Sequence, residues 1–109
     1  MKFLFIHQNF PGQFLHLASE LVKRNHNVTA LTMNHRGLSS VWQGVKVVEY
    51  AVARGNGKET FPPAVDFETK IIRGAFCYEK AKLLKSEGYS PDIIISHPGW
   101  GESLFLKQI

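Results

Sequence analysis

The chain of 109 residues has one cysteine, Cys77. One thiol cannot build an internal disulfide framework, which fits a reducing compartment. Cys77 falls inside a predicted helix with no neighbour to depress its pKa, so it reads as a small packing residue. No apolar run approaches the ~18 residues of a membrane span. The opening Phe3-Leu4-Phe5-Ile6 stops at His7, shorter than a signal-peptide core, and no small-residue cleavage site follows. Basic residues outnumber acidic ones, 13 to 9, for a formal charge of +4. Yet no run of Lys or Arg is longer than Lys23-Arg24, which argues against a nucleic-acid-binding tail. The phosphate-cradling motifs are missing too. There is no G-x-x-x-x-G-K-[ST] of a P-loop, and the first loop holds a single glycine, Gly12. The second strand ends Leu31-Thr32-Met33-Asn34, without the acidic residue a dinucleotide ribose needs. A phosphoacceptor domain would place acids where this chain has His7-Gln8-Asn9. The five histidines form neither H-E-x-x-H nor a Cys/His zinc set, so no metal and no cofactor is expected. Asn27-Val28-Thr29 matches a glycosylation sequon, which without a secretory signal is read as chance.

What is present is ordinary for a soluble globular domain: 44% hydrophobic and 20% charged residues. The length fits one domain, residues 1–109. Lys2 to Ile6 reads as a buried strand, and Pro11 suits the first position of a helix running to Arg24. Phe14, Leu17, Ala18, Leu21 and Val22 make one apolar stripe on that helix. Val28 to Thr32 is a second strand, Met33 to Gly44 a polar loop, and Val45 to Tyr50 a third strand. A basic loop, Arg54 to Thr60, precedes a long helix from Ala64 to Glu87. Phe67, Ile71, Gly74, Tyr78, Ala81 and Leu84 line one side of it, and Gly88 is its stop. Asp92 to Ser96 is a fourth strand, and Ser103 to Leu106 reads as the start of another helix.

This alternation predicts an α/β, Rossmann-like three-layer fold, with a mainly parallel sheet of about four strands and helices on both faces. If the strands are ordered 3-2-1-4, His7 and His97 each follow one of two neighbouring strands and face one crevice, the topological switch point. Two glycine-bearing loops flank it, Asn9-Phe10-Pro11-Gly12 and Pro98-Gly99-Trp100-Gly101-Glu102, each read as opening onto a helix N-terminus. Backbone N–H groups there attract anions, and glycine lets a ligand approach closely. Trp100 is read either as a stacking platform for a sugar ring or as a cover for the core. Glu102 is read either as a ligand for a hydroxyl or as an acid favoured by a helix dipole. His16 and His26 read as surface residues.

Met1–Gln13 (MKFLFIHQNFPGQ) and His97–Leu106 (HPGWGESLFL) resemble the opening and the later signature of the amino-terminal domain of family 4 glycosyltransferases, a bacterial subgroup in particular. The resemblance implies a GT-B enzyme with two Rossmann-like domains, of which this chain is the incomplete, truncated amino-terminal one. It implies a retaining transfer of a sugar from a nucleotide-sugar donor to a sugar or lipid-linked acceptor, without a bound metal. The amino-terminal domain holds mainly the acceptor, so the isolated chain is expected to be inactive. The resemblance places Pro11, Gly12 and Gln13 near the donor phosphates, although the family often has two adjacent glycines there. It makes His97 the residue facing the transferred sugar, the catalytic position. His7, Gly99, Trp100, Gly101 and Glu102 complete the expected substrate site. An unfinished sheet would also invite self-association. The expected location is the cytoplasm, with peripheral contact at the inner membrane through the loops His35–Arg36 and Arg54–Lys58 as an open alternative. The rival reading is a standalone, non-enzymatic binding or oligomerising module for a phosphorylated or sugar ligand.

Overall fold

The computed structural model describes residues 1–34, 40–97 and 99–108. His35–Arg36, Pro98 and Ile109, which the sequence reading used, lie outside the described residues. Strand β1 (Lys2–Ile6) leads through a short 3₁₀ turn, Gly12–Phe14, into helix α1 (Leu15–Lys23). Strands β2 (Asn27–Thr32), β3 (Val41–Trp42) and β4 (Val45–Glu49) follow. A second 3₁₀ turn, Pro62–Ala64, opens helix α2 (Val65–Ser86), and strand β5 (Ile93–Ser96) comes last among the strands.

The sheet has five strands in the order β3-β4-β2-β1-β5. β1 pairs in parallel with β2 and β5, and β2 pairs in parallel with β4. The expected order 3-2-1-4 is therefore found, with one antiparallel addition, β3 on β4. β3 lies inside the stretch read as a polar loop. It turns back through Gln43 and Gly44, both at positive φ (46° and 84°), the geometry of a tight hairpin.

Alternation along β1 divides the core. Phe3 and Phe5 point to one face, where they pack with Phe10, Phe14, Ala18, Val28, Ala30, Val45 and Val47. Leu4 and Ile6 point to the other, with Leu31, Tyr50, Cys77, Ala81, Leu84 and Leu106. Thus α1 covers one face and α2 the other, the three-layer arrangement of a Rossmann-like α/β sheet. Each such buried Leu, Ile or Phe contributes ~1.5–3 kcal/mol relative to exposure. Cys77 is fully buried in the α2 layer, and burial raises its thiol to about 12.

Several expectations shift in detail. On α1, Ala18 is buried but Leu17 is exposed. On α2, Gly74, Ala81 and Leu84 are buried as expected, whereas Phe67 is 68% exposed and Ile72 and Cys77 take the core positions. The helix phase is set by its contact with the sheet, and its first turns extend past that contact. Gly88 ends α2 at φ 98°, with N–H bonds from Gly88 to Lys85 and from Tyr89 to Leu84 closing the last turn. The segment after Glu102 forms turns and a 3₁₀ turn at Leu106–Gln108, not the start of an α-helix. No described helix is long and apolar enough to cross a membrane.

Candidate functional site

His7 and His97 follow β1 and β5, which are neighbours, so both lie at the carboxyl edge of the sheet. Trp100 joins them. Its indole stacks on the His97 ring, centroids 4.0 Å apart and planes 16° from parallel, and meets the His7 ring edge-on at 4.8 Å. His7 also meets Phe14 edge-on at 5.7 Å. The crevice inferred from the strand order thus contains a ring cluster of His7, Trp100 and His97. One face of the indole is taken by His97.

The two imidazoles are held in the same way. Asn9 N–H donates to His7 Nδ1 at 3.0 Å, and Gly99 N–H donates to His97 Nδ1 at 3.1 Å. A backbone N–H can only donate, so each Nδ1 is an unprotonated acceptor and the ring proton sits on Nε2. His7 is 6% exposed, and burial holds its pKa below the usual histidine value. The nearby His97 adds to that lowering, and Glu102 partly offsets it. The folded state therefore favours neutral His7, a contribution present above pH 6.5 and lost as pH falls through the lowered value.

The first loop is fixed by the end of β2. Thr32 Oγ1 accepts the Phe10 N–H at 3.2 Å and donates to the Gln8 carbonyl at 3.0 Å. Asn34 N–H donates to the same carbonyl, and Asn34 Nδ2 donates to Asn9 Oδ1 at 2.6 Å. The residues that lack a nucleotide-binding acid instead hold the loop carrying His7. Phe10 is buried against Phe5 and Trp42. Pro11 is half-buried, and Gly12 and Gln13 are exposed. Gly12, at φ 46°, lies so close to the His7 ring that a Cβ there would collide with it.

The second loop is fixed by α2 and β4. Gly99 is exposed, but Gly101 is buried, with φ 91° and its Cα against the backbone of Lys70. Gly74, one turn along the helix, faces the Gly101 carbonyl. Two glycines thus let the loop rest directly on the helix backbone. Glu102 is 2% exposed, and its Oε2 accepts a 2.7 Å hydrogen bond from Tyr50 Oη, just past β4. Its Oε1 has no partner among the described residues. The carboxylate does bind a hydroxyl, but an internal one. Burial and the bond to Glu102 push the Tyr50 phenol far above its usual pKa, so Tyr50 stays a donor.

The structure therefore brings His7, Gly12, Gly99, Trp100 and His97 together, leaves Gln13 on the surface, and buries Gly101 and Glu102 beneath the loop. Sequence reasoning missed Tyr50 and Gly74. Tyr50 lies far from Glu102 in the chain, and Gly74 had only the signal of a glycine inside a helical pattern. Among the described residues no group of three or more His, Cys, Asp or Glu could hold a metal ion.

Fold and site together define a Rossmann-like α/β domain with an aromatic-histidine cluster at the carboxyl edge of its sheet. The family model for the glycosyl transferase family 4 group matches residues 24–109, most of the chain, and the chain belongs to that group. The match includes the His97–Leu106 signature and leaves out the Met1–Gln13 stretch. Neither the curated proteins nor the solved structures gave a match.

Proposed function

We propose that this chain is the acceptor-side domain of a retaining glycosyltransferase of the GT-B type, acting with a donor-binding domain to move a sugar from a nucleotide-sugar donor. The observation that carries the reading is the His7–Trp100–His97 cluster at the switch point of a family 4 chain. In such sheets ligands sit outside the carboxyl ends of the strands, where the order reverses.

In this reading His97 touches the transferred sugar. With Nδ1 occupied by the Gly99 N–H, its Nε2–H is the group left to donate to a sugar hydroxyl or ring oxygen. Trp100 and Gly99 form the wall beside it, and Pro11-Gly12-Gln13 approaches the donor phosphates. His7, Gly101 and Glu102 act through position: His7 supports the indole, and the other two fix its loop to α2 and β4. No metal or cofactor is needed by these roles. The outer edge of β5 is where further strands, or a second copy, would pair.

The test is transfer by this chain combined with a carboxy-terminal family 4 domain, measured as radiolabelled sugar in the acceptor. The expected result is no transfer by either part alone, transfer by both together, and a loss of at least tenfold with His97→Ala. Tight binding of a nucleotide sugar to the chain alone, measured by calorimetry, would overturn the division of labour.

A further inference from the structure

A second cleft lies on the same carboxyl edge of the sheet, past the ends of β2 and β4. It has a volume of about 230 Å³ and is lined by Met33, Val52, Arg54, Asn56, Ile72 and Arg73, among others. Its walls are apolar, and its two cations come from different elements: Arg54 from the loop after β4 and Arg73 from α2.

Among the described residues neither arginine forms an ion pair with an acid. The ion pairs among the described residues are Arg24–Glu20, Lys70–Asp66 and Lys82–Glu79. Among the described residues Arg54 makes only a long 3.4 Å contact from Nε to the neighbouring Gly55 carbonyl. An acid on this part of α2, Glu68, is already occupied. It accepts the Gly57 N–H at 2.8 Å and the Thr60 hydroxyl at 2.9 and 3.0 Å. Asn56 and Thr69 bond to each other across the same junction. These contacts pin the loop to α2, so the two guanidinium groups are brought to one cleft by bonds that do not neutralise either of them. Like charges gathered at a partly apolar cleft are unfavourable until an anion joins them.

We propose that this cleft binds a phosphate group carried on a small carbon skeleton. Two separate guanidinium forks match a phosphate, whose several oxygens can be shared between them, whereas a carboxylate is satisfied by one fork. The apolar walls suit the attached carbons. The volume is below the roughly 300–1,000 Å³ of pockets that enclose drug-sized ligands, so the cleft takes a small group rather than a whole nucleotide sugar. If the chain is an acceptor-side domain, the phosphate belongs to the acceptor. That clause alone rests on the transferase reading, and the binding claim stands without it.

The experiment is calorimetry of the 109-residue chain with glucose 6-phosphate, with glucose and succinate as controls, and co-sedimentation with phosphatidylcholine vesicles with and without phosphatidic acid. Saturable binding of glucose 6-phosphate, with glucose and succinate at least tenfold weaker, supports the proposal and points to a soluble phosphate. Binding only to vesicles containing phosphatidic acid supports it and points to a lipid phosphate. In either case Arg54→Gln and Arg73→Gln each weaken binding at least tenfold, and Lys58→Gln, on the same loop outside the lining, does not. Arg54 is an exposed loop side chain, so its variant folds and keeps the test sharp even if Arg73→Gln is less stable. Binding of no phosphate probe, equal binding of succinate, or unchanged affinity in Arg54→Gln overturns the proposal. Those results leave the transferase reading intact, because its own test is transfer.

Discussion

Tyr50→Phe tests whether a buried carboxylate holds the loop that carries Trp100. The substitution removes one oxygen and keeps the ring, so packing on the α2 face is little changed. What is lost is the 2.7 Å bond from Tyr50 Oη to Glu102 Oε2. A hydrogen bond to a charged group contributes ~1.5–3 kcal/mol net. Glu102 Oε1 has no partner among the described residues, so after the substitution neither oxygen of a 2%-exposed side chain is satisfied. An uncompensated buried charge costs ~3–5 kcal/mol. Local relaxation and water reaching the loop keep the cost below the upper part of that range. The expected destabilisation is therefore about 2–3 kcal/mol at neutral pH, seen as a lower urea midpoint with an unchanged slope. Adding Glu102→Met to Tyr50→Phe replaces both partners with apolar groups of similar length and recovers most of the loss. A loss under ~0.5 kcal/mol for the single variant, the range of an ordinary surface change, refutes the reasoning. So does a double variant no more stable than the single one.

Stability should also fall in alkali. Cys77 is raised from 9.0 to about 12 and Tyr50 lies well above its ordinary 10.0, so the folded chain keeps protons that the unfolded chain releases. Their contribution is complete below pH 9 and is lost as pH rises, at up to ~1.4 kcal/mol per pH unit for each group; Cys77→Ala should move the onset from near pH 9 to near pH 10, and an unchanged onset would count against the assignment. Gly101→Ala should destabilise by more than ~2 kcal/mol, because it combines a left-handed backbone with a Cβ against the Lys70 carbonyl. Gly55→Ala, with open space around it, is the control expected to be neutral or slightly stabilising in the same thermal melt.

The strands at 2–6, 28–32, 45–50 and 92–96 were legible from their apolar and branched residues, whereas the order 3-2-1-4 was one winding among the few that alternating strands and helices allow, and the structure selects it. β3 was missed because Val41-Trp42 is too short to show a period. Its only signal was Gln43-Gly44 between Val41-Trp42 and Val45, a hairpin turn by composition. On α2, the apolar residues Val65, Phe67, Ile71 and Ile72 allow two phases. Only contact with the sheet selects the one that buries Ile72 and exposes Phe67. The meeting of His7 and His97 followed from topology alone. Trp100 as the joining ring did not, since Trp100 could equally have covered the core. The uses of Gly101 and Glu102 were hidden for a different reason. Both depend on partners in other elements, the Lys70 backbone and the Tyr50 hydroxyl, which no local pattern reveals.

Those two contacts also settle how variants of the second loop are to be read. A site on a loop is only as well placed as the residues beneath it. Here the loop rests on α2 through Gly101 and Gly74 and is tied to the end of β4 through Glu102. The same turn of α2 carries Arg73, whose charge reaches Tyr50, so cleft and ring cluster share one support. A Glu102 variant that loses function therefore does not by itself show that Glu102 meets a ligand. Tyr50 is 1% exposed. Tyr50→Phe disturbs the loop without altering any group that faces the crevice. If Glu102 acts by position, Tyr50→Phe and Glu102 variants lose function together and in proportion to stability. If Glu102 touches a substrate, its variants lose more than their stability explains, and Tyr50→Phe does not follow them.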